Sequence, residues 1–215
     1  MPPKHKTELE RQQLRTFIID AARELFVAKG VDAVTMREIA KRIGYSATSI
    51  YHHFADKEAV IRAICDTDFL ALATSLKNLL LIVNPVDRLY ALGRGYAAFA
   101  LMHPNHYRMM FMTTRTPCNP SDSSLQQHNA EQDAYFQLKS VVNDVHAAGR
   151  FRADLHNADL IAQTIWAGMH GVCALQINMS EDKWIEWCDI SARLQLMQEV
   201  MMRGLLREHL GYENT

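Results

Sequence analysis

The 215-residue chain is short of the residues that interrupt helices and of those that staple small folds, with 9 glycines, 6 prolines and 4 cysteines. Cys65, Cys118, Cys173 and Cys188 are scattered with no C-x-x-C pair. That spacing argues against a disulfide framework and against a cysteine-rich zinc site. Three of them fall in apolar helical patterns and are expected to be buried small hydrophobes in a reducing compartment. The N-terminus lacks the positive-then-apolar order of a secretory signal. The richest apolar stretch, Phe69 to Val83, is broken by Lys77 and Asn78 and is too short to span a bilayer. A soluble, cytoplasmic protein without a membrane partner is expected.

Net charge is also lacking, with 23 Lys+Arg against 24 Asp+Glu and a formal balance of −1. The average hides an asymmetry. Up to Lys57 there are 10 basic and 7 acidic residues, a balance of +3; from Glu58 onward there are 13 and 17, a balance of −4. The two parts are expected to do different work. Hydrophobic residues at 48% and charged residues at 22% argue against a disordered chain.

What the chain has in abundance is the helical period. Leu14, Phe17, Ile18, Ala21, Ala22, Leu25 and Phe26 form an i, i+3, i+4, i+7 stripe. Thr7 with Glu10 makes a capping box before it, and Gly30 is a natural stop. No run alternates apolar and polar residues with period two, so the expected fold is all-α, with about nine helices. After the first, helices are expected from Thr35 to Gly44, from Ser46 to Phe54 and over 57–82 behind an Asp56 cap. Five more are expected near 86–102, 104–113, 125–148, 157–178 and 181–209. Residues 114–124, polar and proline-bearing, read as a flexible loop.

Two short helices joined by a tight glycine turn have the spacing of a helix-turn-helix. A helix fits the DNA major groove, where base edges carry sequence, while phosphates supply affinity and register. The second helix opens with the small residues Ser46, Ala47, Thr48 and Ser49, then carries Tyr51, His52 and His53. Hydroxyls and imidazoles can donate to phosphates, and small side chains allow close approach to bases. Lys57 at the start of the next helix adds a cation beside free backbone amides. Arg37 and Arg42 add charge nearby.

The stretch IIDAARELFVAKGVDAVTMREIAKRIGYSATSIYHHFADKEAVI resembles the N-terminal domain of TetR-family transcriptional regulators. Leu25, Phe26, Gly30, Thr35, Ile39, Ala40, Gly44, Ser46, Tyr51, Phe54 and Lys57 fall where the family pattern places them. The resemblance implies that Thr35, Tyr51, His53 and Lys57 bind phosphates; by position on the recognition helix Ala47, Thr48, Ser49 and His52 are expected to face the bases, with the charge of Arg37 beside them at the groove. Tyr45 stands where the family usually has Val or Ala. DRLYALGRGYAAFALMHPNHYRMMF and the later WAGMHGVCAL resemble the C-terminal ligand-binding branch named for Trp, His and Gly, here Trp166, His170 and Gly171.

From these resemblances follow a three-helix DNA-binding domain over 1–57 and a larger helical domain over 58–215 for ligand binding and dimerisation. Phe99, Met102, Tyr107, Phe111, Trp166 and His170 are candidate pocket residues for a small, largely apolar effector. Ala167, Gly168 and Gly171 leave a bare face on the eighth helix. Trp184, Trp187, Cys188, Leu194, Met197, Val200 and Met201 give the ninth a second apolar face. Ala167, Gly171, Trp187, Met197 and Met201 are the candidate homodimer contacts. The leading expectation is a dimeric repressor released from a palindromic operator. The alternative is a helical interaction protein whose helix-turn-helix serves no ligand-controlled repression. An enzyme is not indicated, since no nucleophile elbow, phosphate-cradling loop, His-Glu-x-x-His or paired-carboxylate motif is present. His103-x-x-His106 is interrupted by Pro104 and reads as helix-cap or core histidines, so neither metal nor cofactor is expected.

Overall fold

The computed structural model describes residues 7–113 and 120–207. Among them are nine α-helices and two short 3-10 turns; no sheet forms, and one antiparallel bridge pairs Phe151 with Leu206. Two compact units are formed, one from residues up to Phe69 with Pro104–Gln126, the other from Leu70–His103 with residues from Gln127 onward.

In the first unit, α1 (Glu8–Lys29) begins with the expected capping box: the Thr7 hydroxyl accepts from the Glu10 amide while Glu10 accepts from the Thr7 amide. It ends at Gly30, whose φ of 83° suits a residue without Cβ. Helices α2 (Met36–Arg42) and α3 (Ala47–Tyr51) follow, capped by Thr35 and Ser46. Helix α4 (Lys57–Leu76) starts behind Asp56, whose carboxylate accepts from the Ala59 amide at 2.7 Å. Leu14, Ile18, Phe26, Ile39, Ile50, Val60, Ile64 and Met109 share one core, which therefore runs past Lys57 and takes in α6 (Pro104–Phe111). Fully burying a side chain of this size contributes about 1.5–3 kcal/mol.

A buried ion pair crosses this core. Asp68 on α4 is wholly inaccessible, and Arg23 on α1 is 4% exposed. Arg23 Nε donates to both Asp68 carboxylate oxygens (3.1 and 3.0 Å) and a terminal nitrogen donates to Oδ1 at 2.7 Å; another donates to Asp20 at 2.7 Å. Burial works against the Arg23 charge, but the hydrogen bonds and charges of Asp68 and Asp20 outweigh it and hold its pKa above the ordinary value. His106 Nδ1 on α6 lies 3.0 Å from Asp68 Oδ1.

The expected flexible loop differs in its second half. Residues 114–119, with Cys118, lie outside the described residues. Ser123 Oγ, Ser124 N–H and Ser124 Oγ all donate to the Asp66 carboxylate at 2.6–2.8 Å, so this part is fastened to α4.

In the second unit, α5 (Pro85–Met102), α7 (Ala134–Ala147), α8 (Ala158–Met179) and α9 (Ile190–Leu205) pack as a bundle. Three expected boundaries are corrected. Helix α4 stops at Leu76 and tightens into a 3-10 turn, Lys77–Leu81, instead of reaching 82. Helix α7 begins at 134, not 125, because residues 127–133 fold into a hydrogen-bonded turn that ends in the Asp133 cap. Helix α9 begins at 190, not 181, behind the Asp189 cap, which leaves Trp184, Trp187 and Cys188 in the connection before it. Cys65 and Cys173 are buried as expected, whereas Cys188 is exposed. Burial in apolar surroundings pushes the Cys173 thiol up to about 12.

Helix α8 is long and apolar enough to cross a bilayer by length and composition. In this fold its Ile161, Ile165, Met169 and Cys173 are buried, and it packs against α5, α7 and α9. A Cβ at Gly168 would run into the Met201 sulfur, so α9 of the same chain approaches this glycine closely. The bare face expected at Gly168 is therefore covered by α9 itself.

Removing one partner of the Arg23–Asp68 pair strands the other charge in the core. Asp68→Ala is expected to lower stability by about 3–5 kcal/mol, and Arg23→Met with Asp68→Leu to recover most of the loss. Urea unfolding of both variants measures this.

Candidate nucleic-acid interface

The helix-turn-helix is built by caps and a glycine turn. The Thr35 hydroxyl accepts from the Glu38 amide at 3.2 Å. At the other end Gly44, φ 73°, allows the Tyr45 amide to reach back to the Ala40 carbonyl at 3.0 Å. Tyr45 is 41% exposed, so the large side chain is carried on the surface of the turn. The Ser46 hydroxyl accepts from the Ser49 amide at 3.2 Å, and the two serine hydroxyls are 2.9 Å apart. Ile50 and Phe54 anchor the other side of α3 in the core.

That anchoring decides which side chains of α3 face outward. Thr48, Tyr51 and His52 are exposed, and Thr48 and His52 stand one turn apart on one face. Ala47 is half-buried and packed on the core, while Ser49 is held by Ser46; both sit at the edge of the outer face. Thr35 and Arg37 are exposed at the start of α2, and His53 is half-buried after α3.

The cations differ in their commitments. Lys57 Nζ donates to the Val31 and Val34 carbonyls at 2.9 and 3.3 Å, so it ties the α1–α2 connection to the start of α4. Arg42 is paired with Glu24 at 2.8 Å. Lys29 pairs with Glu38, and the hydrogen bond holds the Glu38 carboxyl below its usual range. Spacing alone could not separate these paired cations from the exposed Arg37.

In the second unit, two of the candidate pocket residues share a partner that pattern reading passed over. Trp166 Nε1–H donates to the Tyr96 hydroxyl at 3.1 Å, leaving Tyr96 O–H to donate to His170 Nδ1 at 3.2 Å. Burial lowers the His170 pKa, which suits a neutral imidazole accepting at Nδ1. Tyr96 looks like any apolar helix residue in sequence; only the pairing of α5 with α8 identifies it. Phe99 is buried nearby on α5, whereas Met102 is 73% exposed on the helix's last turn and lines no interior. Tyr107 and Phe111 belong to the first unit, where their rings meet at 5.0 Å and Phe111 meets Phe69 at 5.6 Å. His103 caps α5 with its ring 5.0 Å from Phe99. Among the described residues no group of three His, Cys, Asp or Glu side chains could hold a metal ion.

Of the candidate dimer contacts, Ala167 is exposed and the space over Gly171 is open. Met197 and Met201 are half-buried against Gly168. Trp187 is half-buried with the Arg193 guanidinium 4.8 Å above its ring. Val200, expected on the second apolar face of the ninth helix, is exposed, and so are Leu160, Leu175 and Leu196, which the sequence did not single out.

Residues 18–64 match the model of bacterial regulatory proteins of the tetR family, and residues 89–186 match the tetracyclin repressor-like C-terminal domain. The chain belongs to the tetR family. The helix-turn-helix regulator UidR of Escherichia coli K12 is 44% identical over 57 residues, which are 26% of this chain. That match spans only 29% of the length of UidR. The helix-turn-helix transcriptional repressor KstR2 of Mycobacterium tuberculosis is 28% identical over 155 residues, 69% of this chain and 74% of KstR2. The fatty acid degradation regulator FadR of Bacillus halodurans shares the fold, with a TM-score of 0.70 at 17% identity over 88% of this chain and 98% of that one. The tetR match encloses α2, α3 and the start of α4; the C-terminal match encloses Tyr96, Trp166 and His170.

Two outcomes test this geometry. Lys57→Met is expected to lower stability by about 1–3 kcal/mol, because two carbonyls lose a charged donor, whereas Tyr51→Phe is expected to change it by less than about 0.5 kcal/mol. Urea midpoints compare the two. Because the folded state disfavours protonated His170, its contribution is complete above the ordinary histidine pKa of about 6.5 and is lost as pH falls below it. Thermal melts should show a smaller loss between pH 7 and 5 in His170→Gln than in the unaltered chain.

Proposed function

We propose that the chain is a dimeric repressor that binds a palindromic DNA operator and is released by a small, largely apolar effector. The observation that carries this reading is the outer face of α3. A short helix pinned from beneath by Ile50 and Phe54 presents Thr48, Tyr51 and His52 to the outside. Thr48 and His52, with Arg37, Ala47 and Ser49 around them, are the groove-facing set. Thr35, Tyr51, His53 and Lys57 are the phosphate set, Lys57 having one further N–H beyond the two already committed to carbonyls. DNA binding is assigned to residues 1–57; ligand binding and dimerisation are assigned to 58–215. The repressor name of KstR2 supports the direction of control.

The effector site is assigned to the second unit around Phe99, Tyr96, Trp166 and His170, in keeping with the branch named for Trp, His and Gly. Dimerisation is assigned to the exposed side of α8 and α9, where Leu175, Leu196 and Val200 join Ala167 and Gly171. A two-fold pair brings two recognition helices to major grooves about 34–36 Å apart. Release is a population shift, in which the effector binds the conformer with mis-spaced recognition helices more tightly than the DNA-bound one. Moving the equilibrium from 1:99 to 99:1 takes about 10⁴-fold preference. Such a protein works in the cytoplasm, where its DNA is.

Selection of bound sequences from random duplex DNA, repeated across salt concentrations, tests the reading. A palindromic site and a steep fall of log K with log salt are expected, with Thr48 and His52 variants changing base preference and Tyr51→Phe weakening all sequences alike. Leu196→Glu with Val200→Glu is expected to give monomers in sedimentation and to weaken binding to the full palindrome. A non-palindromic or salt-independent result would count against it.

A further inference from the structure

We infer that Arg15 on α1 is a DNA backbone-phosphate ligand held ready in the free protein, a role that rests on the DNA-binding reading above. Its guanidinium carbon lies 4.5 Å from the centroid of the Phe54 ring. Phe54 is buried in the core, directly follows His53 and comes three residues after Tyr51, so the cation stands at the end of the recognition helix. Stacking on an aromatic face fixes the guanidinium plane and limits its collapse onto the protein.

Its hydrogen-bonding capacity is unspent. Among the described residues Arg15 makes neither hydrogen bond nor ion pair, and one terminal nitrogen is shut off from water without an acceptor. The helix supplies no acid within one turn: Arg11, Gln12, Ile18 and Ile19 occupy the neighbouring positions. Other arginines of the unit behave differently. Arg23 is saturated by Asp68 and Asp20, Arg42 is paired with Glu24, and Arg37 is exposed to solvent. Arg15 alone among these four is half-buried, fixed on a ring and unpaired. With one terminal nitrogen enclosed, the edge formed by Nε and the other terminal nitrogen, neither of them enclosed, matches two oxygens of a phosphate. A carboxylate could take the same edge, but Tyr51 and His53, neighbours in sequence of the Phe54 that carries the guanidinium, are donors that favour the same anionic backbone.

The test is the salt dependence of binding to the selected duplex, with folding checked by circular dichroism. Arg15→Met keeps apolar packing on Phe54 and removes the charge; it should reduce the slope of log K against log salt by about 0.9, one phosphate contact. Arg15→Lys keeps the charge and should hold the slope. If Arg15→Met does not fold, Arg15→Gln is measured in its place against the same expectation. An unchanged slope in the charge-removing variant overturns this role and leaves the DNA-binding reading intact. Absence of salt-dependent DNA binding by the unaltered chain overturns both.

Discussion

A carboxylate with no access to water organises the first unit. Asp68 cannot be buried charged unless its partners are close and geometrically matched, so Arg23 of α1 must meet it with a fork of donors. His106 of α6 approaches the same carboxylate. Helices α1 and α4, far apart in sequence, are thereby held to one another at a single point, with α6 packed beside it. Hydrophobic burial alone would tolerate small slides among Ile18, Val60 and Met109; a bidentate pair in a dry core tolerates far less. The consequence for function is positional. Helix α1 shares its core with α2 and α3, so the surface offered by α3 inherits the alignment set deeper in the unit.

The helix-turn-helix shows a division between groups that build the site and groups left over to use it. Thr35 and Ser46 spend acceptor capacity as caps, and Lys57 spends donors on the Val31 and Val34 carbonyls. Thr48, Tyr51 and His52 remain exposed because Ile50 and Phe54 bind the other side of the short helix into the core. A five-residue helix has little stability of its own, and its orientation is lent by tertiary packing. The second unit applies the same economy with Tyr96, whose hydroxyl accepts from Trp166 and can donate to His170, linking α5 to α8 through one atom.

The early charge balance acquires a sharper meaning. The excess of three cations before Glu58 overstates the number of free cations, since Arg23, Lys29, Arg42 and Lys57 are already engaged within the protein. Arg37 is exposed, and Arg15 is stacked but unpaired.

Local order was largely legible in the sequence. The Thr7 box, the Gly30 stop, the Thr35 and Ser46 caps and the Gly44 turn depend on residues within one helical turn of each other, and hydrophobic period marks the helices between them. The start of α7 escaped because 125–133 holds no glycine or proline to mark a break, and that of α9 because apolar residues continue through 181–189, while the backbone there follows hydrogen bonds that Asp133 and Asp189 make possible. Family membership was legible too, through many fixed spacings in one short stretch. Only the tertiary structure decided that Gly168 receives α9 of its own chain, that Met102 faces outward, and that Asp68, Tyr96 and Arg15 have the partners or the vacancy they have. Those outcomes depend on which helix faces which, a relation between distant residues that no local spacing encodes.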